Sequence, residues 1–123
     1  MIKKENFFTN EFAYFVGVMQ GDGSYGTYID RVKNKFRTCL TLCAIDLEMV
    51  EKSVKIFNET FHKNVTIYRR KKDNLFGFST SVKNLIEVFN KLEIDFHDPP
   101  KPPLWIKNNI EYFGSYLARN NRF

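Results

Sequence analysis

The chain has 123 residues, enough for one hydrophobic core and not for two. Its 13 phenylalanines and 6 tyrosines supply that core, and a net charge of +5 favours an anionic partner, nucleic acid before a membrane surface because no basic amphipathic helix is obvious. No run approaches the roughly 20 apolar residues of a transmembrane helix, and residues 1–6 lack the apolar region of a signal peptide. The expectation is therefore a soluble, intracellular protein, cytoplasmic or nucleoid-associated.

The first predicted element is a helix ending near residue 22. Phe12, Phe15, Val16 and Met19 recur at i, i+3, i+4 and i+7, the spacing of an apolar helix face that enters the core. A second stripe, Ala13, Gly17 and Gly21, steps by four through residues with little or no side chain, which lets two helix backbones approach closely. Glycine inside a helix costs about 1 kcal/mol relative to alanine. Close packing against another helix offsets that cost at Gly17; the alternative is a surface helix with an incidental glycine. Asp22 then stands at the helix C-terminus, where the macrodipole disfavours a carboxylate by roughly 0.3 to 1 kcal/mol. A bound cation reverses that sign, because carboxylate and carbonyl oxygens together suit Mg²⁺ or Ca²⁺. The competing reading of Asp22-Gly23 is a simple turn, with Gly21 or Gly23 as a left-handed helix terminator.

Residues 24–31 favour a strand through Tyr25, Thr27, Tyr28 and Ile29, residues 32–34 form a polar turn, and residues 35–44 form a second strand. Alternation along it places Phe36, Thr38, Leu40 and Leu42 on one face and Arg37, Cys39, Thr41 and Cys43 on the other. Cys39 and Cys43 are the only cysteines; four strand residues separate them by roughly 13 Å, beyond the about 7 Å that a disulfide spans. Free thiols are expected. Asp46 is a good N-cap for a helix through residue 61, with Leu47, Val50, Val54, Phe57 and Phe61 as its apolar stripe. A second strand, turn, strand pattern spans residues 64–81, followed by a helix over residues 81–92 with Val82, Leu85, Ile86 and Phe89 facing inward. Residues 95–103 hold four prolines and read as a stiff connector. In it Asp95, His97 and Asp98 are better read as linker hydrogen-bonding groups than as a metal cluster, and His62 as a helix-cap residue. A last helix over residues 104–119 carries Trp105, Ile106, Ile110, Phe113 and Leu117. Its residues Ser115-Tyr116-Leu117-Ala118 weakly echo Ala13-Tyr14-Phe15-Val16.

Residues 15–23, Phe-Val-Gly-Val-Met-Gln-Gly-Asp-Gly, resemble the motif of the LAGLIDADG homing endonucleases: a glycine at position three, a small residue at seven and an acidic residue followed by glycine at the end. The resemblance implies an α+β fold of order αββαββα. Its mostly antiparallel four-stranded saddle sheet carries helices on one face and leaves the other free for DNA. That domain would span residues 1–94, with the connector and C-terminal helix at 95–123. The resemblance further implies a site-specific, metal-dependent double-strand DNA endonuclease acting as a homodimer, or paired with a second LAGLIDADG half. The motif helices would meet through Ala13, Gly17, Gln20 and Gly21. Asp22 and the Gly21 carbonyl would hold Mg²⁺, with Ca²⁺ or Mn²⁺ able to substitute, and cleavage of double-stranded DNA at an intron or intein insertion site would follow.

Contacts to DNA would come from the free face and hairpin tips: Tyr25, Tyr28, Arg31, Lys33, Lys35, Arg37, Thr41, Tyr68, Arg69, Arg70, Lys71 and Lys72. A solvated basic surface is the alternative for any one of them. Family members often carry a polar residue, frequently glutamine, near the end of the second strand and a lysine near the end of the fourth. Ala44 and Ser81 stand there, and Lys83, the nearest catalytic lysine candidate, falls two residues late. That departure keeps a second function open, a non-cleaving DNA- or RNA-binding domain of the same fold such as a maturase or transcription regulator. A third is a basic domain docking a protein partner through its first helix.

Overall fold

Helix α1 (Asn10–Asp22) begins where Thr9, in extended backbone, accepts a hydrogen bond from the Phe12 N–H at 3.0 Å. The computed structural model describes residues 4–81, 85–94, 96 and 101–118. Every residue of α1 from Phe12 to Gln20 is buried, so the helix is enclosed by the fold and not laid on its surface. Its face of Phe12, Phe15, Val16 and Met19 sits in the core, as the periodicity predicts.

The strands β1 (Gly23–Asp30), β2 (Lys35–Ala44), β3 (Tyr68–Arg70) and β4 (Leu75–Ser81) form one antiparallel sheet of order β1-β2-β4-β3. Leu40 and Leu42 of β2 and Phe78 of β4 are fully buried beneath α1 and α2 (Leu47–Phe61). Leu42 lies opposite Phe78 in the register. The alternate positions Thr41 and Ser79 turn away from that core and join their hydroxyls at 3.2 Å. Helices thus cover one sheet face, which is the expected α+β architecture. Rings knit the layers together: Phe12 stacks on Phe15 at 5.6 Å between centroids, Phe15 meets Phe57 at 5.9 Å and Phe57 meets Phe78 at 5.7 Å. Such pairs add about 0.5–1.5 kcal/mol beyond area burial.

Three readings are corrected. Helix α1 has no left-handed terminator: Gly23 is at φ −92°, its N–H bonds the Met19 carbonyl, and the chain runs straight into β1. A side chain at Gly23 would strike Met19, which is why glycine follows Asp22. Strand β3 is three residues long, whereas the sequence pattern predicts a strand over residues 64–71. The Asn58 side chain captures the Val65 backbone on both sides, accepting its N–H at 2.9 Å and donating to its carbonyl at 3.1 Å, in place of a strand partner. Helix α3 is seen over Leu85–Lys91, while residues 82–84 lie outside the described residues. The last helix is two, α4 (Leu104–Lys107) and α5 (Ile110–Leu117), because the Asn109 side chain accepts from the N–H groups of Glu111 and Tyr112 and starts a new helix.

The glycine stripe has a partner within the chain. A Cβ on Gly17 would overlap the Tyr116 carbonyl oxygen and lie 3.1 Å from its carbonyl carbon, so only glycine permits α5 to seat there. The Tyr116 hydroxyl donates to Gln20 Oε1, and Gln20 Nε2 donates to the Lys101 carbonyl at 3.0 Å. Near the start of α5, the Tyr112 hydroxyl donates to the Phe8 carbonyl at 2.8 Å. These contacts join start to start and end to end, so α1 and α5 run parallel. The connector's far side is pinned as well, the Trp105 indole donating to the Leu92 carbonyl at 2.9 Å and stacking on Phe8. In this chain the close neighbour of the glycine stripe at Gly17 is α5.

Alanine at Gly17 gives a test whose sign decides. Helix propensity alone predicts a gain of about 1 kcal/mol, whereas the clash with α5 predicts a loss of about 1–3 kcal/mol. Urea unfolding followed by fluorescence of Trp105, the single tryptophan, should show the loss.

Candidate nucleic-acid interface and carboxylate site

Two hairpins of matched design flank the sheet's open face. Both close with four-residue loops, Arg31-Val32-Lys33-Asn34 and Lys71-Lys72-Asp73-Asn74, and in each the final asparagine takes a left-handed conformation, φ 54° at Asn34 and 55° at Asn74. Asparagine tolerates that region because its short amide bonds locally. The loops carry exposed Arg31, Lys33, Lys71 and Lys72, and Lys35 is exposed where β2 begins, opposite Asp30. Positive charge therefore sits at both ends of the sheet. The floor between them holds small neutral groups: Thr41 joined to Ser79, and Cys39 opposite Ser81. Both cysteines are free thiols.

Strand parity divides the predicted contact residues. Tyr28 pairs with Arg37 in the register. Tyr25, three positions earlier, pairs with the fully buried Leu40, and its ring stacks on Phe96 at 5.6 Å and meets Phe89 at 5.3 Å. Tyr25 is therefore a core-side residue, and its hydroxyl, buried without a hydrogen-bond partner among the described residues, has its pKa raised by burial. Arg69 likewise lies over the Phe76 ring at 5.9 Å on the helix-bearing side, its guanidinium donating to the Asn74 amide oxygen at 2.9 Å. Tyr68 and Arg70 alternate onto the open face. The Tyr68 hydroxyl is pushed up, first by desolvation and then by the neighbouring Cys43, with Arg70 opposing.

Arg70 is not a freely available cation. Its Nε donates to both Asp73 carboxylate oxygens, at 2.8 and 3.1 Å, and its Nη2 adds a third contact. This fork holds Asp73 below its ordinary carboxylate value and raises Arg70 further. Sequence inspection missed Asp73 as a competitor for Arg70; an Arg and an Asp three apart across a predicted turn was the available signal.

Asp22 is exposed at the tip of α1. It lines a groove of about 410 Å³ with Cys43, Ala44, Ile45, Asp46, Met49 and Leu75, where the end of β2 and the start of β4 meet the start of α2. Asp46 is engaged as the α2 cap, accepting from the Met49 N–H at 3.1 Å. Among the described residues no three His, Cys, Asp or Glu side chains converge as a metal cage. Beside the Cys43 thiol and the Asp46 carboxylate spent on the α2 cap, the oxygen donors left to the groove are the Asp22 carboxylate and the carbonyl oxygens at the end of α1. This all-oxygen set suits a hard divalent cation whose shell is completed by water and a ligand's phosphate oxygens. Gly21 is exposed beside Asp22, whereas Gly17 and Gln20 are committed to α5 and the connector. Lys83 lies outside the described residues, and Ser81 is exposed at the end of β4.

The fold is that of the LAGLIDADG homing endonucleases. I-DmoI in complex with DNA and Ca superposes with a TM-score of 0.60 at 15% sequence identity, over 90% of this chain and 55% of I-DmoI. A mesophilic variant of the homing endonuclease I-DmoI gives 0.58 at 13%, over 90% and 56%, and the K262A mutant of I-SmaMI gives 0.50 at 11%, over 89% and 38%. The chain thus spans little more than half the length of I-DmoI. No protein-family model and no curated protein matches the sequence. Among the described residues no helix is long and apolar enough to cross a membrane.

The Arg70–Asp73 fork has a pH signature. Because the folded-state pKa of Asp73 is depressed, the pair is intact above the ordinary carboxylate value and lost only as pH falls through the lower, folded value. A carboxyl-carbon NMR titration should find Asp73 titrating below the ordinary carboxylate value, and Arg70→Ala should return it toward that value. Global stability should barely change, since the pair is solvent-exposed.

Proposed function

We propose that the chain binds double-stranded DNA on the open face of its sheet and hydrolyses a phosphodiester at Asp22 with a divalent cation, in the manner of a site-specific homing endonuclease. The observation that carries this reading is the position of Asp22, exposed where α1 passes directly into β1, in a groove bordered by β2. A backbone laid along the open face would pass that carboxylate. The basic loops 31–34 and 71–74 would hold phosphates to either side, while Thr41 and Ser79 meet base edges on the floor.

When bound, the cation supplies charge for the leaving oxygen and lowers the pKa of a water. Asp22 and the Gly21 carbonyl are the oxygens on this chain that would hold it; Mg²⁺ is the proposed ion, with Ca²⁺ and Mn²⁺ as substitutes. Both substitutes accompany I-DmoI in solved DNA complexes. The chain's other part is to align the phosphate and exclude bulk water from the groove through Ile45, Met49 and Leu75. Insertion-site mobility is the biological role that such cutting serves.

One feature favours a second reading, DNA or RNA binding without cutting. Ala44 lines the Asp22 groove where the family resemblance expects a polar residue to orient the attacking water. A duplex pool of random sequence, bound and recovered in Ca²⁺ and then given Mg²⁺, separates the two. We expect wild type to bind and cut and Asp22→Asn to bind without cutting; binding by both with no cutting by either would establish the second reading. The logarithm of affinity should fall with log salt at about 0.9 per neutralised phosphate. Asp73→Asn, which releases Arg70, should steepen that slope by about one phosphate.

A further inference from the structure

We infer that Asp73 is a positioning residue for base recognition: its carboxylate locks Arg70 with one edge of the guanidinium turned to the open face, and that edge reads a guanine in the major groove. The inference rests on the duplex-binding reading above. Arg70 ends β3 opposite Leu75, and Asp73 stands three residues on, in the loop that turns the chain back into β4. Asn74, at φ 55°, closes that loop. Arg69 is tied on the other side of the hairpin, donating to Asn74 Oδ1 at 2.9 Å above the Phe76 ring. Each of these two arginines is therefore held by one loop residue, Arg69 toward the helices and Arg70 toward the open face. The loop at 31–34 has Lys33 at the position that matches Asp73, so of the two hairpins only β3–β4 places a carboxylate there.

A guanidinium presents its N–H donors in a rigid planar fork. Asp73 takes the Nε–H, at 2.8 and 3.1 Å to its two oxygens, and one N–H of Nη2. The edge that remains carries an N–H of Nη1 beside the second N–H of Nη2, a parallel pair with a fixed direction. Such a pair needs two adjacent acceptors. In the major groove guanine alone offers them, as O6 and N7; adenine sets a donor beside its N7, cytosine presents a donor, and thymine a single acceptor next to a methyl group. A two-stranded ribbon such as β3–β4 fits that groove. A phosphate also offers two oxygens, but Arg70 and Asp73 together carry no net charge, and a phosphate approaching Arg70 meets the Asp73 carboxylate beside it. The exposed Lys71 and Lys72 of the same loop are the better phosphate partners. The fork thus lowers affinity and raises discrimination. A loose arginine takes whichever acceptor is near, whereas a held one loses less conformational freedom on meeting its base.

The test passes wild type, Asp73→Ala, Arg70→Ala and the double variant over a random duplex pool in Ca²⁺ and sequences what each retains. Wild type should favour guanine at one position by about 5- to 150-fold. Replacing that guanine with 7-deazaguanine, which pairs normally but lacks the N7 acceptor, should weaken wild-type binding about tenfold. Asp73→Ala should flatten the preference at that position alone and lose the response to 7-deazaguanine, while its affinity for mixed-sequence duplex holds or rises. Arg70→Ala should flatten the same position, and the double variant should do no more. If Asp73 only shapes the loop, its removal will weaken binding to every sequence and leave the guanine preference standing, which would overturn the inference. A guanine preference that survives Arg70→Ala would overturn it too. So would a bound wild type indifferent to 7-deazaguanine, which would mark Arg70 as a phosphate contact. Failure of wild type to bind any duplex, with or without Ca²⁺, would overturn the interface reading itself and this inference with it.

Discussion

The close approach of two helix backbones at Gly17 governs the rest of the molecule. Where the Tyr116 carbonyl enters the space of an absent side chain, α5 is drawn alongside α1. With it come the Gln20–Tyr116 and Gln20–Lys101 hydrogen bonds, and Trp105 stacked beneath Phe8 and Phe12. A buried helix with glycine at its centre loses propensity, and tertiary packing on every side offsets that loss. The enclosure fixes the direction in which α1 ends, and hence where Asp22 emerges relative to the sheet.

The open face follows from the same arrangement. With α1 and α2 packed on one side, Leu40, Leu42 and Phe78 are held beneath them and the alternate positions face outward. The resulting surface is uneven in charge. Arg31 and three lysines lie in the two loops and small neutral groups line the middle, and Arg70 is partly neutralised by Asp73. A duplex on this face would be gripped at its phosphates from both ends and read by hydroxyls and loops between. Affinity and sequence discrimination would thus reside in different residues.

Much of this was legible from periodicity. The buried face of α1, the Asp46 cap, the inward alternation of Leu40 and Leu42, and both hairpins are where spacing and turn residues put them. What escaped was competition between distant or crossing groups. Shortening of β3 depends on Asn58, a side chain from the preceding helix that occupies the Val65 backbone. A small-residue stripe announces a close helix neighbour without naming it, so the partner of Gly17 emerged only with α5 in place. Tyr25 and Arg69 were grouped with open-face residues by composition, although strand parity already separates Tyr25 from Tyr28 and Arg69 from Arg70. At the candidate site the exposed carboxylate was foreseen, but its groove-mates Ile45, Met49 and Leu75 come from elements that no local pattern links.

The most direct measurement of the central claim is amide hydrogen exchange of the chain with and without bound duplex DNA. If the open sheet face and the tip of α1 form the interface, new protection will fall on loops 31–34 and 71–74, on the outward strand positions around Thr41 and Ser79, and on the turn at Asp22-Gly23, with α2 unchanged. Protection concentrated instead on α2 or on the outer surface of α4 and α5, with the hairpin loops unaffected, would contradict the account.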